Sequence, residues 1–206
     1  MSTDSPTFRI GVLALQGDFR EHIRSVEQSG HYAFGINQAP ELGEIDALIL
    51  PGGESTTIAK LARSFGLFEP IRDLIKAGLP VYGSCAGMIL LAREIEGAAP
   101  GQESFGGIDM KVLRNAFGRQ VDSFEGDIDF LGIAAPAVRG VFIRAPWVEK
   151  VGSGVEVLAT VESPSGAHPV AVKQGNLLAT SFHPELTDDS RVHRYFIEEI
   201  VAKANR

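Results

Sequence analysis

Cysteine occurs once in 206 residues, at Cys85. A single thiol cannot close an internal disulfide, so a disulfide-stapled secreted scaffold is excluded and a reducing cytoplasm fits best. Basic residues are in deficit: 19 Lys and Arg against 26 Asp and Glu give a formal net charge of −7. Nucleic acids and anionic membranes both require a basic footprint, so neither is an expected partner. No apolar run is long enough to span a bilayer. The opening residues Met1 to Thr7 lack the basic and apolar regions of a signal peptide and read as a frayed start. Internal repeats and linkers are also missing, so residues 1–206 read as one domain. What remains is ordinary for a globular chain with a sizeable core: 44% hydrophobic and 22% charged residues.

The first half alternates short apolar runs with helical spacing. Phe8–Leu15, His31–Ile36, Asp46–Leu50 and Leu79–Tyr82 read as buried strands. Asp18–Ser29, Ser55–Phe65, Pro70–Ala77 and Met88–Ile95 read as helices. Such alternation predicts an α/β fold with a mostly parallel sheet and helices on its faces. The second half turns strand-rich: Ile108–Leu113, Val121–Phe124, Val138–Ile143, Val155–Val161, Pro169–Lys173 and Leu177–Phe182. An amphipathic helix over Arg191–Lys203 closes the chain, and Gly97–Gly107 reads as a loop-like insertion.

Cys85 lies in "VYGSCAG", where Gly83 and Gly87 bracket the turn from a strand into a helix. A G-x-nucleophile-x-G turn removes bulk on both sides and lifts the central side chain clear of the sheet. It also puts the sulfur at the carboxyl end of a parallel strand and beside a helix N-terminus, which favours thiolate. The pentapeptide alone also fits a small buried cysteine at a tight connection.

A base would decide between these. Of five histidines, His22, His31 and His193 read as surface or packing residues, and His168 sits in a polar turn. His183 follows the apolar run "NLLATSF" directly, and Pro184 ends the strand there. In an extended segment His183 and Glu185 would point to one side. The carboxylate could then orient the imidazole, as in a nucleophile–base–acid triad. Attack by Cys85 on a carbonyl needs oxyanion donors. The N–H of Ala86 is one candidate, and the glycine amides of "PGGEST" (Pro51–Thr56) are another. That stretch lacks the spacing and lysine of a phosphate-binding P-loop. Arg114 and Arg144 each follow a strand-like run, and a guanidinium suits an α-carboxylate.

"GSCAGMILLA" with "FHPE" far downstream resembles the class I glutamine amidotransferases. "GVLALQGDFREH", "LPGGESTT", "RNAFGRQVDSFEGD", "VFIRAPWVE" and "SFHPELTDD" resemble, more narrowly, the glutaminase subunits of pyridoxal 5′-phosphate synthase. The resemblance implies a three-layer, flavodoxin-like fold with additional antiparallel strands. It implies that Cys85 attacks the side-chain amide of L-glutamine, that His183 shuttles the proton and that Glu185 orients His183. Gly53, Glu54, Ser55, Arg114, Ile143 and Arg144 would hold the substrate, and amides of Gly53 and Ala86 would form the oxyanion hole. Neither cofactor nor metal is implied. The implied partner is a synthase subunit with a (βα)₈ barrel, in a twelve-plus-twelve assembly that receives the ammonia. Two other readings remain. An α/β-hydrolase would order its triad as nucleophile, acid, histidine, whereas here the acid follows His183. A non-catalytic thiol sensor would need neither the His183–Glu185 pair nor the GGEST loop.

Overall fold

Residues 6–117 and 123–206 are described by the computed structural model. In the first half, β1 (Arg9–Leu13), α1 (Phe19–Gln28), β2 (Tyr32–Ile36), β3 (Ala47–Leu50), α2 (Ser55–Ser64), α3 (Phe68–Lys76), β4 (Val81–Ser84) and α4 (Ala86–Leu91) follow one another. Then come β5 (Ala92–Glu96), β6 (Ile108–Leu113), β7 (Ser123–Ile128), β8 (Val138–Ile143), β9 (Trp147–Val151), β10 (Glu156–Ser163), β11 (Gly166–Gln174) and β12 (Leu177–Thr180). The closing helix starts as α5 (Arg191–Tyr195) and continues through a π-helical stretch, Phe196–Val201.

The main sheet has seven strands in the order β10-β11-β12-β4-β3-β1-β2. The five strands from β12 to β2 are parallel, and β11 and β10 are added antiparallel. Side-chain alternation along each strand divides the core between two faces. Ile10, Val12, Ile49, Tyr82 and Leu178 lie on one, under Val26 of α1 and Val192, Phe196 and Ile200 of the closing helix. Leu13, Leu48, Leu50, Val81 and Ala179 lie on the other, under Ile58 of α2, Phe68 and Ile71 of α3 and Met88 of α4. Each such large side chain, fully buried, contributes roughly 1.5–3 kcal/mol. A small sheet β5-β6-β9 and the hairpin β7-β8 complete the fold.

Three expectations need correction. The helix expected over Met88–Ile95 stops at Leu91, because Ala92 turns extended and the chain pairs in parallel with β6. Strand pairing there overrides local helical spacing. His168 is within β11, paired with Val161 and stacked on Trp147 at 3.7 Å, rather than in a turn. The strand β9 was not anticipated. Of the strand expected over Val121–Phe124, residues 121 and 122 lie outside the described residues, as do 1–5 of the expected frayed start, and β7 begins at Ser123.

Candidate active site

Four adjacent parallel strands, β12, β4, β3 and β1, end on the same side of the sheet. Each is followed by a segment of the site: His183 after β12, Cys85 after β4, Gly52 and Gly53 after β3, and Gln16 to Asp18 after β1. Two backbone hydrogen bonds lock the pieces together. Cys85 N–H donates to the carbonyl of Thr180 (2.8 Å), and His183 N–H donates to that of Val141 (2.8 Å).

The glycines of the cysteine turn are explained by close backbone approach. A Cβ on Gly83 would lie 2.5 Å from the Gly87 backbone, and one on Gly87 would lie 2.2 Å from the Leu50 carbonyl oxygen. Neither position can hold a side chain without moving main chain. Cys85 itself has φ 48° and ψ −100°. That conformation is strained for a residue with a Cβ and costs about 1–3 kcal/mol. Ala86, whose N–H is the expected oxyanion donor, is the first residue of α4.

His183 and Glu185 meet, though not as residues of an extended strand. Pro184–Leu186 forms a 3-10 turn that folds the carboxylate back, so that His183 Nδ1 is 2.8 Å from Glu185 Oε1. Burial alone would push the His183 imidazole down, but hydrogen bonds to the Cys85 and Glu185 side chains, and their charges, push it up to about 11. Glu185 is fully buried, which pushes its carboxyl up. Interactions with His22 and then His183 outweigh this and hold it well below the usual carboxylate range. Asp18 Oδ2 lies 3.5 Å from His183 Nδ1, and its own carboxyl is raised, chiefly by burial. Asp18, His183 and Glu185 offer three potential metal ligand atoms within 4.8 Å of one another. The ring nitrogen they would use is already engaged by Glu185, so the cluster is built as an imidazole–carboxylate pair.

A cleft of about 90 Å³ opens beside the sulfur, lined by Gly53, Glu54, Ser55, Cys85, Ala86, Ile89, Arg114, Asn115, Ile143 and Arg144. All of the residues expected to bind substrate thus converge on Cys85. Among the described residues, three non-glycine residues have positive φ, namely Cys85, Asn115 (49°) and Arg144 (42°), and all three line this cleft. Backbone strain of this kind collects at functional sites. Glu54 caps α2, its carboxylate accepting from the N–H of Thr56 (3.1 Å) and Thr57 (2.7 Å), and also pairs with Arg114 (3.2 Å). Ile143, at the end of β8, presents its carbonyl to Cys85 Sγ at 4.0 Å.

Several polar residues of the site were missed in the sequence. Gln102, in the loop between β5 and β6, donates its amide to Ser55 Oγ (3.0 Å) and accepts from Ala99 N–H (3.1 Å) and from Arg114. Gln16 Oε1 accepts from Glu54 N–H (2.9 Å). His22 and His193 are fully buried and continue inward from Glu185. Helical spacing carried a signal for both. His22 falls on the α1 stripe with Phe19 and Val26, and His193 lies one turn before Ile197.

The SNO glutamine amidotransferase family model matches residues 12–202. A protein of Frankia casuarinae, named pyridoxal 5′-phosphate synthase subunit PdxT, is 59% identical over 192 residues, covering 93% of this chain and 94% of the relative. A protein of the same name from Acidothermus cellulolyticus is 56% identical over 207 residues, covering 99% of each. Among solved structures, one described as a glutamine amidotransferase superposes with a TM-score of 0.85 at 49% identity, covering 94% of this chain and 98% of that one. The structure of PurLQS from Thermotoga maritima shares the fold alone, with a TM-score of 0.67 at 14% identity. With nearly the whole chain matched and the strand ends gathered around one strained cysteine, this protein belongs to the SNO glutamine amidotransferase family.

Proposed function

We propose that this chain is the glutaminase subunit of a pyridoxal 5′-phosphate synthase. It hydrolyses L-glutamine to L-glutamate and ammonia and passes the ammonia to a (βα)₈-barrel synthase subunit, in an assembly with equal numbers of both. The observation that carries this reading is the Cys85–His183–Glu185 array at the strand ends, in a chain of the glutamine amidotransferase family whose relatives bear the PdxT name.

In this mechanism the Cys85 sulfur attacks the amide carbon of glutamine, and the carbonyl oxygen becomes an oxyanion. Amides of Ala86 and Gly53 face it, and each such donor is worth about 100–1,000-fold in rate. His183, with Nδ1 held by Glu185, gives its other ring proton to the amide nitrogen. The C–N bond breaks, ammonia leaves and a thioester remains. Having given its proton to ammonia, and with no thiolate beside it to favour the imidazolium, the ring stays neutral and is available as the base that takes a proton from water. The resulting hydroxide adds to the thioester, the C–S bond breaks, and glutamate leaves. Arg114 and Arg144 bind the α-carboxylate, and Glu54, Ser55 and Ile143 border the side chain.

The cleft supports a further part of the reading. Its volume of about 90 Å³ is well below the roughly 300–1,000 Å³ of ligand pockets, and Glu54 and Gln102 already engage Arg114. From these contacts and the Gly52–Gly53 pair we infer that the free subunit is slow until the partner frees Arg114 and sets that peptide; high activity of the isolated protein would contradict this. No helix among the described residues is long and apolar enough to cross a membrane, and the single free thiol suits a reducing cytoplasm.

Ammonia release from glutamine, with and without an added synthase subunit, tests the proposal in wild type and Cys85→Ala. Partner-stimulated release that vanishes in the variant is expected. Absence of release in wild type under both conditions removes the glutaminase assignment, and release unchanged by Cys85→Ala means the nucleophile is another residue.

A further inference from the structure

Behind Glu185 the chain buries a second set of polar groups that the mechanism above does not use. His22 of α1 and His193 of α5 are both fully buried. Their rings are joined by a 2.9 Å contact between His22 Nδ1 and His193 Nε2. On its other side, His22 Nε2 is 2.9 Å from Ser84 Oγ and 3.3 Å from Glu185 Oε1. Ser84 Oγ is itself 3.4 Å from the same carboxylate oxygen. Three helical or strand elements thus contribute one polar side chain each to a line that ends on Glu185.

The proton positions follow from what is left over. Among the described residues, the atoms of this line without a partner are Glu185 Oε2 and His193 Nδ1. Suppose that both histidines are neutral and that every donor points toward Glu185. His193 Nε2–H then donates to His22 Nδ1, and His22 Nε2–H donates to Ser84 Oγ and Glu185. Ser84 O–H donates to Glu185, and His183 Nδ1–H donates from the other direction. The two orphan atoms are then lone pairs, and no N–H is stranded. Reversing the line, or protonating His22, would force a proton onto His193 Nδ1 and leave it buried without an acceptor, which costs about 1–3 kcal/mol. Burial is the chief cause that holds His193 below its ordinary value, in keeping with a neutral ring.

We propose that His22, backed by His193 and acting with Ser84, is a positioning residue that keeps Glu185 ionised and oriented toward His183. This rests on the glutaminase reading above for its role in turnover, though not for its effect on Cys85. A buried carboxylate with one donor is easily protonated or turned, and each further donor lowers its proton affinity. Removing His22 takes away a donor that fixes the carboxylate, so its proton affinity rises and it is freer to turn. The support that Glu185 gives an imidazolium at His183 then weakens, and with it the support that an imidazolium would give a Cys85 thiolate. The other titratable groups that face this carboxylate are Asp18 just before α1, Tyr82 from β4, His183 just before the 3-10 turn and His193 from α5. The variants leave all of these in place.

The single cysteine makes the test clean. The rate of Cys85 alkylation by iodoacetamide is followed against pH in the full chain, for wild type, His22→Leu, His22→Gln and Ser84→Ala. The expected result is an acid limb moved up by about one pH unit in His22→Leu, moved less in Ser84→Ala, and largely restored in His22→Gln, which keeps a donor amide. In the presence of the synthase subunit, His22→Leu should also lower kcat about 10-fold with KM for glutamine unchanged. Folded His22→Leu and Ser84→Ala proteins with the wild-type alkylation profile would overturn the inference. Because alkylation needs no glutamine, that result is distinct from a wild-type protein that releases no ammonia, which would remove only the glutaminase reading.

Discussion

Gly52→Ala tests the placement of His183 through a single methyl group. Gly52 does not have a left-handed backbone, so alanine is conformationally allowed there. Space is what is missing. The new Cβ would lie 2.3 Å from His183 Cε1, 2.8 Å from Nδ1 and 3.2 Å from Asp18 Oδ2. Carbon atoms at rest sit about 3.5–4.0 Å apart, so the ring must retreat by more than about 1 Å. It cannot retreat freely, because Glu185 holds Nδ1 at 2.8 Å and the His183 N–H is bonded to Val141. A misplacement of about 1 Å in a catalytic group costs on the order of 100-fold, and the overpacking costs about 1–3 kcal/mol in stability.

The assay is steady-state ammonia release with the synthase subunit present, beside a thermal melt. Gly43→Ala is the control, since nothing lies within 4 Å of a Cβ there and its backbone is not left-handed. We expect kcat/KM to fall about 100-fold or more in Gly52→Ala and to be unchanged in Gly43→Ala. A folded Gly52→Ala protein within about threefold of wild type would refute the argument that His183, in the position described, carries the proton.

Gln102→Ala removes the amide that ties Arg114 to Ser55. With that competitor gone, Arg114 is free for the substrate carboxylate, so KM for glutamine should fall roughly threefold with little change in kcat, as expected when ground-state binding alone is altered. Gly87→Ala would drive a methyl into the Leu50 carbonyl oxygen at 2.2 Å. Both atoms belong to rigid core backbone, so poor soluble yield or a clearly lowered melting temperature is the expected outcome. Asp189 is held below its ordinary value of 3.8, first by hydrogen bonds from the Arg191 side chain. A depressed carboxyl stabilises the fold above its unfolded-state value and loses that contribution as pH falls through the folded-state value. Urea midpoints of Asp189→Asn should therefore depend less steeply on pH below about 4 and run parallel to wild type above about 5.

The strands of the first half were legible because each is a short apolar run bounded by glycine or proline, and their parallel order follows from the intervening helices. The turn at Cys85 was legible for a similar reason, since two glycines mark it whatever surrounds them. The end of α4 was not. Met88 to Ile95 keeps helical spacing, and only the pairing of Ala92–Glu96 with Ile108–Leu113, more than ten residues ahead, makes the chain extended. The polar surroundings of the site were obscured for a different reason. His22, His193 and Gln102 have ordinary neighbours in sequence, and their partners lie 171, 62 and 47 residues away. The apolar stripe on which His22 falls could have shown that it is buried, but not what it touches.

Strain offers a route to the site that is independent of any motif. A positive φ at a residue with a Cβ persists only where surrounding contacts overdetermine it. Here such contacts can be named for each position. Cys85 is held by its N–H on Thr180 and by the glycine contact beneath α4. The Ala116 N–H, bonded to the Ala145 carbonyl, links the segments that contain Asn115 and Arg144. That one bridge ties together the segments of two strained residues that line a single cleft, with Arg114 and Ile143 beside them. A wall built this way keeps its shape while Glu54 and Gln102, held only by side-chain and cap hydrogen bonds, remain free to exchange partners. Under the proposed reading, this division of labour would keep the backbone around Arg114 and Arg144 fixed while the side-chain contacts of Arg114 change to admit the substrate carboxylate.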